Sequence, residues 1–166
     1  RRLNGHARLR IVGREAPGAL GYLKRLLELG NRGGAAPITE YAGQVPDYRD
    51  LVATAARADV GVALVAGDGG DLNMRHMAGA SNKPFDYMAA GLPLLVSDRP
   101  DWYEMFVVPG YARACNPGDP DSIATALTWF LEHQAERCAM AARGRARIET
   151  DWNYDAAFEP VMRSLS

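Results

Sequence analysis

The chain has 166 residues, 48% of them hydrophobic and 23% charged, an ordinary globular composition that excludes disorder and low-complexity repeats as its main state. Lys and Arg number 19 against 20 Asp and Glu, a formal net charge of -1, so no global basic field exists to hold nucleic acid or an anionic membrane. A chain of this size buries roughly 70% of its unfolded surface, enough for a true core.

The longest apolar runs, residues 60–66 and 92–96, fall far short of the roughly 20 residues of a membrane-spanning helix. The first residues, Arg1-Arg2-Leu3-Asn4-Gly5-His6, carry no apolar signal-peptide region and no starting Met. The expectation is a fragment, or a chain that has lost its beginning. Cys115 and Cys138 are too far apart for a local metal or redox motif. Both are expected as buried thiols of a reducing compartment, which makes the cytoplasm the default location.

In chain order, residues 8–13 (RLRIVG) predict a buried strand ending in Gly. Residues 19–29 place Leu20, Leu23, Leu26 and Leu27 at helical spacing, with Gly30 at the expected C-cap. After a Gly/Ala/Pro loop, residues 38–42 predict a second strand, 48–57 a helix and 59–65 (DVGVALV) a third strand. A Gly/Asp-rich loop then runs to about residue 82, a length that usually marks a functional or mobile segment. Residues 83–90 predict a helix ending at Gly91, 93–97 a fourth strand, 102–106 a short helix and 111–115 a fifth strand. Three helices follow, at 121–133, 135–150 and 154–165.

Alternating strands and helices, with apolar strands, argue for a parallel sheet covered on both faces. With right-handed crossovers this is an α/β fold, a Rossmann-like doubly wound parallel sheet, taken as a single domain over residues 1–166. Ligands bind such sheets beyond the carboxyl ends of the strands. The residues just after strands are Gly13-Arg14, Gly43-Gln44-Val45, the loop 66–82, and Ser97-Asp98.

The stretch from Gly79 to Pro93 carries the chemistry. Small residues lead into a helix with Pro84 in its first turn, where Pro is favoured. Free backbone N–H groups and the helix dipole attract phosphate there. Ser81 and Asn82 are good N-cap types, and Lys83 adds a cation beside them. Asp86 stands about one turn on, where a carboxylate can accept hydrogen bonds from a ribose diol. The alternative is a solvated Lys83, a first-turn acid at Asp86 facing the dipole, and Tyr87-Met88 as plain core. Local chemistry leaves the two open.

Residues 82–98, read as N-K-P-F-D-Y-M-A-A-G-L-P-L-L-V-S-D, resemble group 1 retaining glycosyltransferases of the GT-B fold, which typically carry N-K-x-F-E-Y-M-A-A-G-x-P-V-I-x-S-D. Trp102-Tyr103-Glu104, residues 116–123 (NPGDPDSI), Gly144-Arg145 and Trp152-Asn153-Tyr154 continue the likeness, as do residues 9–13 and 41–45 upstream. The resemblance implies the C-terminal, donor-binding half of such an enzyme. The domain's first strand and the N-terminal acceptor domain would then lie outside the chain.

By position, the resemblance implies that Asp86 holds the ribose hydroxyls of a nucleotide diphosphate-sugar. The family's first acid falls at Ala78 and is absent, with Asp71 a possible substitute. Gly79, Ala80, Ser81 and Asn82 would contact phosphate and sugar, and Gln44 and Val45 the base. Gly13 and Arg14 line the same edge, although they do not match the family's diphosphate-binding Arg and Lys. Lys83 is the candidate catalytic group, stabilising charge on the departing β-phosphate.

The implied reaction transfers a sugar with retention, in glycan or polysaccharide assembly, without a metal or other cofactor. The acceptor, a glycan or a lipid-linked glycan, would reach the chain through the missing domain, as would any peripheral membrane attachment. Nucleic acid is not an expected partner. Two alternatives remain: a noncatalytic nucleotide-binding or interaction module, and a nucleotide-sugar epimerase of the same architecture.

Other signals point to structure. Asp119-Pro120-Asp121 mimics a D-x-D metal motif but precedes a helix, which favours a loop and N-cap. Asp68 and Asp71 lack the full spacing of a calcium loop. His6, His76 and His133 have no paired ligands, and only His76 falls in the candidate loop. Arg143, Arg145 and Arg147 are expected on a solvated helix face, and Trp102, Trp129 and Trp152 in the core.

Overall fold

The computed structural model describes residues 3, 7–15, 18, 20–32, 38–65, 67 and 80–165. Two compact units are present, Arg1–Leu51 and Val52–Ser166.

In the first unit, β1 (Leu9–Ile11) pairs in parallel with β2 (Thr39–Tyr41), Leu9 opposite Thr39 and Ile11 opposite Tyr41. Between them runs α1 (Tyr22–Gly30), whose start is capped by the Glu15 carboxylate accepting from the N–H groups of Gly21 and Leu23. The expected C-cap is displaced by one residue. Gly30 is the last helical residue and Asn31 the cap. A Cβ on Gly30 would sit 2.1 Å from Thr39 Oγ1, so close approach to β2 requires glycine there. Asn31 then clips the strand: its Oδ1 accepts from Ile38 N and Thr39 N, both at 2.9 Å, and its Nδ2 donates to the Thr39 carbonyl. The expectation of a buried first strand is corrected. Leu9 is 42% and Tyr41 37% exposed, and Thr39 alone is buried in the pair. The two strands are only three residues long and pair with each other alone among the described residues.

The helix α2 (Tyr48–Ala55) spans the boundary between the units. The second unit contains β3 (Gly61–Ala63), α3 (Asn82–Ala89), β4 (Leu94–Ser97), the short helix α4 (Pro100–Trp102), β5 (Ala112–Cys115), α5 (Pro120–Glu132), α6 (Gln134–Thr150) and α7 (Tyr154–Leu165). The sheet order is β3-β4-β5, all parallel, with Ala63 opposite Val96 and Ser97 opposite Cys115. Central β4 is buried throughout. Its side chains alternate between two cores. Leu94 and Val96 join Met88, Trp102 and Phe106, and Leu95 joins Ala126, Phe130 and Met140. Helices therefore cover both faces, as the sequence predicts. Each such side chain contributes about 1.5–3 kcal/mol.

Glycines set how closely α3 docks. A Cβ on Gly61 would meet the Tyr87 ring at 2.4 Å, and one on Gly144 would meet Met88 Cγ at 3.2 Å. Edge-to-face rings extend the packing: Phe85 lies 5.8 Å from Phe106 and 5.4 Å from Trp152, centroid to centroid. The end of α3 is a Schellman turn. Gly91 has φ 74, its N–H donates to the Met88 carbonyl, and the Leu92 N–H donates to that of Tyr87.

Two further expectations change. The short helix after β4 begins at Pro100 and passes into a π-helical turn over Tyr103–Val107. Cys115 is buried but Cys138 is exposed, both free thiols. The arginines of α6 do lie on a solvated helix face, where they are also engaged. Arg143 donates to the Gly110 carbonyl, Arg145 pairs with Glu149 and Arg147 with Asp151, and the Arg147 guanidinium lies 5.1 Å from the Trp152 ring centroid. Trp102 is buried, and Trp129 and Trp152 pack half-buried against the two cores. Among the described residues no helix is long and apolar enough to cross a membrane.

Candidate functional site

Parallel strands send the chain out at one edge and return it through helices, so each strand's carboxyl end adjoins the start of the following helix. In the second unit that edge carries Val65 and Gly67 after β3, residues 98–99 after β4 and 116–119 after β5, together with the starts of α3 and α5.

The start of α3 is the feature the sequence singles out. Ser81 is the N-cap, with extended backbone (φ -90, ψ 119), and its hydroxyl makes no cap hydrogen bond. Asn82 and Lys83 are exposed and Ser81 is half-buried, so among the described residues no packed side chains cover the turn. Pro84, the third helical residue, is buried and has no N–H, which leaves Asn82 and Lys83 to present the leading amides. Asp86 is half-buried one turn on. Its charge acts on the neighbouring Tyr87 phenol, whose pKa is raised by burial first and by Asp86 second. Ala80 is exposed just before the cap. Gly79, Ala78, Asp71 and His76 lie outside the described residues, as do Asp68 and His6.

The remaining sequence candidates belong to the first unit. Gly13 follows β1 with φ 136; its N–H donates to the Gly43 carbonyl at 2.9 Å, and its own carbonyl accepts from the Tyr41 hydroxyl at 2.7 Å. Arg14 and Gln44 are exposed and Val45 is half-buried. Thus Ala80, Ser81, Asn82, Lys83 and Asp86 gather at one helix start, whereas Gly13, Arg14, Gln44 and Val45 lie past the ends of β1 and β2.

The structure adds a cleft that the sequence candidates only touch. It occupies about 250 Å³ and is lined by Val65 and Gly67 from the end of β3, Ser97 to Arg99 from the end of β4, and Asn116 to Gly118 from the end of β5. Ser97 is 1% exposed and locks the β3 end in place: its Oγ accepts from Val65 N at 2.8 Å and donates to the Val65 carbonyl at 3.0 Å. Asp98 N–H donates to the Cys115 carbonyl at 3.0 Å. Burial, then the Asp98 charge, pushes the Cys115 thiol up to about 11. Arg99 Nε lies 3.3 Å from Asp101 Oδ1. Sequence reasoning reached Ser97 and Asp98 but missed Arg99 and the turn after β5. The available signal was the rule already applied to β4, that ligand-facing residues follow strand ends.

At the start of α5, Asp119 caps as expected, its Oδ1 accepting from Asp121 N at 2.9 Å. The D-P-D stretch is therefore a helix cap. Among the described residues no group of three or more His, Cys, Asp or Glu is placed to hold a metal ion. His133 is stacked on Trp129, with ring centroids 4.5 Å apart.

The glycosyl transferase-like family matches residues 1–163, and the chain belongs to that family. The GDP-mannose-dependent monoacylated alpha-(1-6)-phosphatidylinositol monomannoside mannosyltransferase of Corynebacterium glutamicum is 27% identical over 119 residues, 72% of this chain and 30% of that protein. A solved structure described as trehalose-6-phosphate from E. coli bound with UDP-2-fluoro glucose has TM-score 0.65 at 21% identity, over 98% of this chain and 36% of that one. The trehalose-6-phosphate synthase OtsA has TM-score 0.60 at 22% identity, over 95% and 35%. The chain thus spans about a third of the length of these relatives. The structural likeness shows the fold, an α/β domain of the GT-B glycosyltransferase class with parallel sheets.

Proposed function

We propose that this chain is the donor domain of a retaining glycosyltransferase of glycan or polysaccharide assembly, and that it binds a nucleotide diphosphate-sugar. The observation that carries the proposal is the uncapped start of α3 at the carboxyl edge of the sheet, with Lys83 exposed beside it. An N-terminus of this kind offers N–H donors and the positive end of a dipole to a diphosphate. The relative in Corynebacterium, named as GDP-mannose-dependent, and the E. coli structure bound with UDP-2-fluoro glucose support a nucleotide-sugar donor.

In this mechanism the diphosphate sits at Gly79 to Asn82 and the Asp86 carboxylate accepts from the ribose hydroxyls. Within the first unit, the candidates for contacting a base are Gln44 and Val45, past the end of β2, with Gly13 and Arg14 past the end of β1. As the bond to the anomeric carbon breaks, negative charge grows on the departing β-phosphate. Preoriented N–H donors and the Lys83 ammonium stabilise it without reorganising. No divalent metal takes part. The sugar passes with retention to a glycan or lipid-linked acceptor bound elsewhere in the protein, at the cytoplasmic side.

Titration calorimetry with UDP and GDP tests the proposal. Asp86→Ala weakens binding by roughly 1.5–3 kcal/mol, the scale of a hydrogen bond to a charged group. Unchanged affinity removes Asp86 from the site. Ala78, where the family pattern has an acid, favours a second reading as a noncatalytic nucleotide-binding module. Turnover of donor by the purified protein separates the two.

A further inference from the structure

The near-neutral total charge hides an asymmetry. Residues 1–51, the first unit, carry nine Arg and Lys against five Asp and Glu, whereas residues 52–166 carry ten against fifteen. Opposite excesses in two parts of one chain point to a charged partner for the basic part.

Helix α1 displays that excess together with apolar surface. By helical spacing Leu23, Leu26, Leu27 and Gly30 share one face. The three leucines are half-buried, and Gly30 lies against Thr39 of β2. Tyr22, Arg25 and Leu29 share the next flank, at positions i, i+3 and i+7, and Arg32 follows just past the cap residue Asn31. All four are exposed, Tyr22 by 64% and Leu29 by 50%, and Leu20 just before the helix is 82% exposed. The acid Glu15 is committed to capping Gly21 and Leu23. Glu28 is spaced i, i+4 from Lys24 on the remaining face. Residues 16–19 (APGA) and 33–37 (GGAAP), which flank the helix in sequence, contain no charged residue.

The flank thus mixes cations with apolar side chains. A nucleic-acid backbone would use the arginines but gain nothing from Leu20 and Leu29. An anionic lipid surface uses both. Leucine and tyrosine enter the headgroup boundary, and arginine stems lie on apolar surface while their guanidinium groups meet lipid phosphates.

We propose that the first unit docks on an anionic lipid bilayer through this flank of α1, with Leu20, Tyr22 and Leu29 in the headgroup region and Arg25 and Arg32 on lipid phosphates. This goes beyond the sugar-transfer reading and does not depend on nucleotide binding.

Cosedimentation of the purified chain with lipid vesicles tests it. The wild type is expected to pellet with mixed phosphatidylglycerol and phosphatidylcholine vesicles but not with phosphatidylcholine alone, and to be released as salt is raised. Each arginine at an anionic surface is worth about fivefold, so Arg25→Gln combined with Arg32→Gln lowers the partition coefficient by about tenfold or more. Tyr22→Ser combined with Leu29→Ser lowers it with every arginine kept. Arg145→Gln, at an exposed position of the acidic second unit, leaves it unchanged. The substituted side chains are exposed, so the variants are expected to fold, and matched melting temperatures verify it. A wild type that stays in the supernatant with anionic vesicles overturns the proposal, as does an Arg145→Gln loss equal to that of the α1 arginines. Binding to duplex DNA as tight as binding to vesicles, with the serine variant unaffected, marks a general polyanion surface and also overturns it. Calorimetry with UDP and GDP reads the nucleotide site separately, so either reading can fail without the other.

Discussion

Two helices begin at the same sheet edge, and their starts are built in opposite ways. At α5, the sequence Asn116-Pro117-Gly118-Asp119-Pro120 closes the helix on itself. Asp119 caps Asp121, Pro120 occupies the first turn, and Ser122 Oγ turns back to Asn116 N–H. The carboxylate satisfies an amide and offsets the dipole. At α3 the cap residue Ser81 makes no such bond, and the next two residues, Asn82 and the cationic Lys83, are exposed. One start is finished by its own side chains. The other keeps donors and positive potential facing outward, as an anion site requires.

If the helices differ only at their starts, removing their buried anchors should hurt both. Met88 of α3 is 0% exposed and Phe130 of α5 is 2% exposed. Met88→Ala is expected to cost about 2–5 kcal/mol and Phe130→Ala about 3–5 kcal/mol of stability, measured by denaturant unfolding. A negligible loss for Met88→Ala would mean that α3 is not docked on the sheet and its start is not held at the edge.

Cap substitutions should separate the two. Asp119→Ala is expected to destabilise by about 1 kcal/mol, within the roughly 0.5–2 kcal/mol range for lost N-caps. Ser81→Ala has no cap bond to lose, and its melting temperature should match the wild type. Equal losses would erase the distinction.

The thiols sharpen the closed side of the edge with a smaller effect. Cys138 is exposed and should react with a thiol reagent at pH 8, whereas buried Cys115, at the end of β5, should not react until the protein unfolds. Because the fold raises the Cys115 pKa from 9.0 to about 11, its contribution to stability is fully present below pH 9. That contribution is lost as pH rises through about 11. Replacing Cys115 with Ala should flatten this alkaline decline in a pH series of unfolding curves.

Local patterns carried far. Ala89-Ala90-Gly91-Leu92-Pro93 announces a helix stop, and the structure shows a Schellman turn at Gly91. Asp119-Pro120 announces a start, and the cap forms. Alternation of apolar runs with helices indicated a parallel sheet covered on both faces, which the β3-β4-β5 unit displays. Features fixed by distant contacts were not legible. Gly30 resembles a C-cap but is glycine because Thr39 stands against it. The cleft draws on three strand ends far apart in sequence, so Arg99 and the turn after β5 carried no local mark. The π-helical turn over Tyr103–Val107 has a helix-like sequence, and its register is set where Phe106 packs against Trp102 and Trp152.

The central claim is that the open start of α3 receives a diphosphate while the closed start of α5 does not. Amide NMR during titration with UDP or GDP tests it most directly. The account predicts that the N–H resonances of Ser81, Asn82 and Lys83 shift saturably, while those of Asp121 and Ser122 stay in place. Shifts at α5 with none at α3 would contradict it.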